Sequence, residues 1–294
     1  MKFLLFLLIS ITGLNEVRAK SEIKEILRMS EAYQEIKKQV SKYGSKNVLV
    51  VFDIDSTLLS LNQGLGSDYW FTWQSEKLKS GDVTDRVAND VVGILDVQLQ
   101  LYTLSRMHPP EPETPHLVSQ LQAERIPVMV LTSRMTNFRD ITEQHLRESK
   151  YNIGTTSPAV LRDTGYNYIP YDPSHPSDYG LEIEDVELAN TKQVPQVNYK
   201  QGVFLTAGLH KGVALKSFLG VKAKHTNYRA IVFIDDRKHN CKAVADVYRS
   251  SDLEVVSLRY GFEDQLIETF NKSTKAEAIN GYNQLMKLKE NVFH

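Results

Sequence analysis

Two aspartates one residue apart, Asp53 and Asp55, follow an unbroken apolar run from Val48 to Phe52, and Ser56 and Thr57 come directly after them. A short, wholly apolar run of this kind reads as a strand buried on both faces. A carboxylate at the end of such a strand loses hydration, which is costly unless it is compensated. Two of them this close also repel each other, unless a cation, a hydrogen-bond cage or a shared proton offsets the charge. The pair therefore marks a place where something cationic or proton-bearing belongs.

The pattern recurs along the chain. Thr132 closes the apolar run Val128–Leu131, with Ser133 and Arg134 after it, and Asp235 and Asp236 close the run Ala230–Ile234. Lys211 stands at the head of a helix-patterned stretch over 212–220. Taken singly, each has an ordinary explanation: a strand-end hydroxyl, a surface lysine, a solvated turn or helix cap. In series, they place acidic, hydroxyl and ammonium groups at the ends of successive strands.

The elements that must position them follow from periodicity. Residues 21–43 carry apolar residues at helix-like spacing before a break at Tyr43-Gly44-Ser45. Helices are predicted over 116–126, 137–149, 212–220 and 244–249, strands over 128–131, 230–234 and 253–258, and a helical tail over 263–288 that breaks at Gly281. Apolar strands alternating with helices predict an α/β fold, a Rossmann-like doubly wound parallel sheet, whose ligands bind beyond the carboxyl ends of the strands. Two intervals exceed a plain strand–helix–strand crossover. One is an insertion over 61–114; the other, over 150–209, ends in a probable-hairpin pattern, VNYKQGVFLTAG.

FDIDSTLL, LGSDYWFTWQ, LTSR, GVFLTAGLHKG and IVFIDD, in this order, resemble the haloacid dehalogenase (HAD) superfamily of phosphohydrolases. Within it they look most like the secreted HAD-like proteins of the DUF2608 family, a family without an assigned function. The apolar N-terminal segment, residues 1–19, and the aromatic segment Tyr69–Trp73 after the first motif are also similar to class B and class C acid phosphatases. The resemblance implies a HAD core over 20–60 and 115–294 with a small, mainly helical cap over 61–114. It also implies a Mg²⁺ site formed by Asp53, Asp55 (through its carbonyl) and Asp235, with Asp236 orienting Lys211 or a metal-bound water. Asp53 would be the nucleophile and Asp55 the acid and base. Thr132, Ser133 and Lys211 would bind the phosphate, and Arg134 would either help them or pair with a surface carboxylate. A hard divalent cation on oxygen ligands would reverse the local charge that otherwise repels a phosphomonoester dianion. Dehalogenases of the superfamily lack the second aspartate, so Asp55 counts against that chemistry.

Tyr69, Trp70, Phe71 and Trp73 bring both tryptophans of the chain within four residues. They read either as a wall that stacks on a substrate ring, with Trp70 and Trp73 making the contact, or as the core of the cap. His210 and His239 border the motifs but form no metal-ligand spacing.

The remaining composition bounds the partners. With 294 residues, a formal net charge of −1 and 41% hydrophobic content, the chain has no global field to attract nucleic acid or anionic lipid. Residues 1–19 read as a secretory signal peptide, a lysine and then an apolar run too short to span a bilayer of roughly 30 Å. The expectation is an exported, periplasmic or secreted protein without a stable membrane anchor, acting on a small phosphorylated substrate. Cys241 is the single cysteine and reads as a buried filler. Two other readings stay open: a 5′-nucleotidase or phosphotransferase using the same aspartate, and a HAD-fold protein that acts mainly by binding a partner.

Overall fold

A computed structural model describes residues 21–158, 160, 165–224 and 226–293; the leader expected over 1–19 lies outside them. The elements in chain order are β1 (Ser21–Ile26), α1 (Met29–Tyr43), β2 (Val48–Phe52), β3 (Ser60–Leu61), α2 (Asp68–Ser80), α3 (Val91–Leu104), β4 (Met107–His108), α4 (Thr114–Ala123), β5 (Val128–Thr132) and α5 (Arg139–Glu148). They continue as β6 (Asn167–Tyr168), α6 (Ile183–Ala189), β7 (Val197–Lys200), β8 (Val203–Leu205), α7 (Lys211–Val221), β9 (Ala230–Asp235), α8 (Lys238–Val247), β10 (Glu254–Tyr260), α9 (Asp264–Lys272) and α10 (Ala276–Val292).

Eight strands form one sheet in the order β1-β10-β9-β2-β5-β8-β7-β6. The first six run parallel, and the antiparallel β7 and β6 finish one edge. All five residues of β2 are buried because both faces of the sheet are covered. Val48, Val50 and Phe52 enter a core shared with Ile36, Val118 and Ile141 of α1, α4 and α5. Leu49 and Val51 enter the opposite core, with Val213, Phe218 and Val244 of α7 and α8. The strand thus splits by its period of two between two helical layers. This is a mixed α/β fold with a mostly parallel sheet, as the apolar runs implied.

Two elements differ from the sequence reading. Residues 21–26 form a strand rather than the start of a helix. The segment completes the sheet by pairing along its whole length with β10, from Ser21 against Val255 to Ile26 against Tyr260. A partner more than 200 residues away overrides a local apolar spacing that fits a helix. The C-terminal helical region breaks at Ser273–Lys275, where Lys275 has a φ of +58°, and not at Gly281. Ser273 Oγ takes the Lys275 N–H at 3.1 Å and holds that turn. Gly281 lies inside α10, where a Cβ would come within 3.3 Å of Leu65.

The expected hairpin is β7–β8, whose second strand joins β5 in parallel. The segment between β2 and α4 carries α2 and α3, based on the short antiparallel pair β3–β4. Its own small core, around Trp70, Ile94 and Leu101, also takes Ala278, Phe270 and Leu285 from the last two helices of the chain. Among the described residues, no helix is long and apolar enough to cross a membrane.

Candidate active site

β9, β2 and β5 are neighbours, and Phe52 lies level with Ile234 on one side and Val130 on the other. Asp53, which follows Phe52, is therefore brought beside Asp235 and close to Thr132 at the carboxyl end of the sheet. The Asp53 N–H donates to the Ile234 carbonyl at 2.9 Å, fixing the exit from the strand. The chain then turns tightly: the Ile54 carbonyl accepts the N–H groups of Thr57, Leu58 and Leu59, and Ser56 sits at φ +57°.

Lys211 is carried in from across the sheet at the first position of α7. The preceding loop is tied to the end of β5, with Thr206 donating to the Thr132 carbonyl through both N–H and Oγ1 at 2.9 Å. Gly208 donates to the Ser133 carbonyl, also at 2.9 Å. This delivers the Lys211 ammonium, 2% exposed, to 2.6 Å from both Asp53 Oδ1 and Asp235 Oδ2. The Asp235 carboxylate is further caged by Asn240 Nδ2 at 3.0 and 3.1 Å and by the Arg237 N–H at 2.8 Å. Asp236 donates its N–H to Thr57 Oγ1 at 3.1 Å, and its carboxylate meets Arg237 Nε at 3.2 Å. Arg237 also pairs with Asp68 at the start of α2.

Carboxylate oxygens of Asp53, Asp235 and Asp236 lie within 4.8 Å of one another, and all three residues are buried. Lys211 meets two of the three carboxylates, Asp53 and Asp235, and the third, Asp236, has only Arg237, which it shares with Asp68, so negative charge is in excess. Burial, reinforced by Asp235 and Asp55, pushes the Asp53 carboxyl up to about 8 despite the Lys211 ammonium. Burial likewise raises Asp236 well above the usual carboxylate value, with Asp235 and Asp53 adding to the effect. The cluster therefore holds either extra protons or a cation. Its all-oxygen donor set and surplus negative charge fit a hard divalent ion such as Mg²⁺.

Asp55 is held apart from this cluster. Arg134 grips it in a two-point pair, Nη2 to Oδ1 at 2.8 Å and Nε to Oδ2 at 3.0 Å, and the Tyr102 hydroxyl donates to Oδ1 at 3.0 Å. Burial pushes the Asp55 carboxyl up, but Arg134 outweighs it and holds the group below its usual value. The two carboxylates of the first motif thus sit in opposite electrostatic settings, one sharing a lysine with Asp235 and crowded by Asp236, and one matched to an arginine. Such separation of neighbouring carboxyl groups marks sites where acid and base roles are divided.

Thr132 is buried at the same strand end, where its Oγ1 accepts the Arg134 N–H at 3.2 Å. Ser133 is exposed and joins the site through its carbonyl. Of the two readings of the aromatic segment, Trp70 takes the core one, which corrects its placement as a ligand contact. Trp70 is 1% exposed in the core of the insertion, and Trp73 packs edge-on to Phe270. A side chain this enclosed cannot stack on a ligand, so Trp70 serves packing. Cys241 is fully buried, as expected.

Sequence reasoning missed Asn240, Arg237 and Tyr102. Asn240 had a usable signal, because five residues separate it from Asp235 across the start of α8. Tyr102 had none, since only packing of the insertion brings it to Asp55.

Fold and site together define an α/β protein with a carboxylate–lysine centre at the ends of its central parallel strands. The chain belongs to the family described as "Protein of unknown function (DUF2608)", whose profile matches residues 25–292. No curated protein matches the chain closely enough to count as a relative.

Proposed function

We propose that this protein is a Mg²⁺-dependent phosphatase of the HAD type, hydrolysing phosphomonoesters through an aspartyl-phosphate on Asp53. The observation that carries the reading is the Lys211 ammonium at 2.6 Å from both Asp53 and Asp235, with Asp236 completing a three-carboxylate cluster. On this reading the sheet and its helices are the HAD core, the α2–α3 segment is the cap, and the leader over 1–19 directs export.

The cation would be held by Asp53 and Asp235, with Asp236 beside them, and would neutralise phosphoryl charge. Asp53 attacks phosphorus, and the bond from phosphorus to the leaving oxygen breaks. Asp55 gives that oxygen a proton, then takes one from the water that attacks the aspartyl-phosphate, releasing phosphate and restoring both aspartates. Arg134 keeps Asp55 ionised in the resting site, but the incoming phosphate dianion works against it by favouring the protonated form. The Lys211 ammonium and the Thr132 hydroxyl stabilise charge on the phosphoryl oxygens. The test is phosphate release by residues 20–294 with Mg²⁺ or EDTA, against Asp53→Asn.

A further inference from the structure

The insertion reaches the carboxylates through Tyr102, and that contact has a direction. The ring is 2% exposed. It packs edge-on against Phe138 with centroids 5.7 Å apart, and the Arg134 guanidinium lies 4.7 Å from its centroid. Its hydroxyl donates to Asp55 Oδ1. Gln98 of the same helix donates through Nε2 to that hydroxyl at 3.5 Å and to the Gly66 carbonyl at 3.0 Å. An amide donor behind the phenolic oxygen turns the phenolic proton towards Asp55.

An ionised carboxylate offers about four lone-pair sites. Among the described residues, Oδ1 of Asp55 receives two donors, Arg134 Nη2 and Tyr102, whereas Oδ2 receives only Arg134 Nε. Oδ1 is saturated and the open site is on Oδ2. Arg134 alone would leave both oxygens with one donor each and nothing to choose between them.

We propose that Tyr102 is a positioning residue for Asp55. By saturating Oδ1 it makes Oδ2 the oxygen that carries the proton to the leaving group, and it ties the orientation of that oxygen to the placement of α3. The proposal rests on the phosphatase reading and adds an insertion residue to it. It implies that Tyr102 matters for substrates whose leaving group needs a proton, and little for those that leave as stable anions.

The test compares kcat/KM for an alkyl phosphate, such as glycerol phosphate, with that for nitrophenyl phosphate, both with Mg²⁺. This parameter ends at departure of the leaving group and excludes hydrolysis of the intermediate. Tyr102→Phe keeps the ring and its packing and removes only the hydroxyl. Its kcat/KM should fall roughly tenfold further for the alkyl than for the aryl phosphate, part of the range general acids contribute. Phe138→Leu disturbs the same packing but no donor, and should leave the alkyl-to-aryl ratio at the wild-type value. Equal losses on both substrates in Tyr102→Phe, or no loss, would reduce Tyr102 to a packing residue. A wild type that releases phosphate from neither substrate would overturn the phosphatase reading, and this proposal with it.

Discussion

Neutralising Asp53 should make the metal-free protein more stable, and increasingly so as pH rises. Asp53 has an ordinary value of 3.8 and is pushed up to about 8 in the fold, chiefly by burial. Between about pH 4 and pH 8 the folded chain therefore keeps a proton that the unfolded chain has released. An acid raised in this way lowers stability as pH increases through that window. A gap of about four pH units, at about 1.4 kcal/mol each, sets a ceiling of about 6 kcal/mol. Water entering the site will dissipate part of it. Asparagine is the neutral counterpart of the protonated acid, so Asp53→Asn removes this dependence and relieves the repulsion on Asp236. In EDTA, the stability of Asp53→Asn relative to wild type should grow by about 1 kcal/mol or more from pH 5 to pH 8, read by urea unfolding. The difference between the two proteins is the quantity to follow. His145 and His210, whose values burial lowers, favour the fold as pH rises through about 6.5, and they do so equally in both chains. Asp55, held low by Arg134, contributes stability that is lost only below its ordinary value, outside the window. Saturating Mg²⁺ should stabilise wild type by about 2–3 kcal/mol at a hundred times Kd and close the gap. Parallel stability curves from pH 5 to pH 8, or a gap that narrows in EDTA, would refute the crowded-carboxylate account.

Two further outcomes are expected of single substitutions. Trp70→Ala should cost about 3–5 kcal/mol in urea unfolding, the usual toll of emptying a buried tryptophan site, with the ranking of substrates by kcat/KM unchanged; a reordered ranking would return Trp70 to the ligand site. Gly212→Ala would bring a Cβ to 2.2 Å from the Ala243 carbonyl oxygen, so it should destabilise by about 2–3 kcal/mol through overpacking, although alanine favours a helix by about 1 kcal/mol. Gly281→Ala meets only a leucine methyl at 3.3 Å and serves as the mild comparison; equal thermal shifts for the two would count against a close α7–α8 contact.

What was readable in the sequence is what local pattern controls. A wholly apolar run ending in a carboxylate or hydroxyl is a local signature, and it located Asp53, Thr132 and Asp235 at the ends of three adjacent strands. Lys211 was readable only through the series it completes, because nothing around a lone lysine says that its ammonium is buried. The features that stayed hidden depend on distant partners. Strand β1 exists because β10 lies beside it, and the core of the insertion is finished by Phe270 and Ala278 from the other end of the chain. Tyr102 looks like any apolar-face residue of α3 until its hydroxyl is found on Asp55. The tryptophans stayed ambiguous for a related reason: an aromatic cluster fits a ligand wall and a small core equally well, and only burial separates the two.

The central claim is tested most directly by following phosphate release and protein-bound phosphoryl together. Residues 20–294 would be given labelled nitrophenyl phosphate and a nucleotide panel, with Mg²⁺ or EDTA. The expected result is Mg²⁺-dependent release with label recovered on the peptide containing Asp53, both abolished in a folded Asp53→Asn protein. Release that survives Asp53→Asn, or no release from any substrate with Mg²⁺, would contradict it.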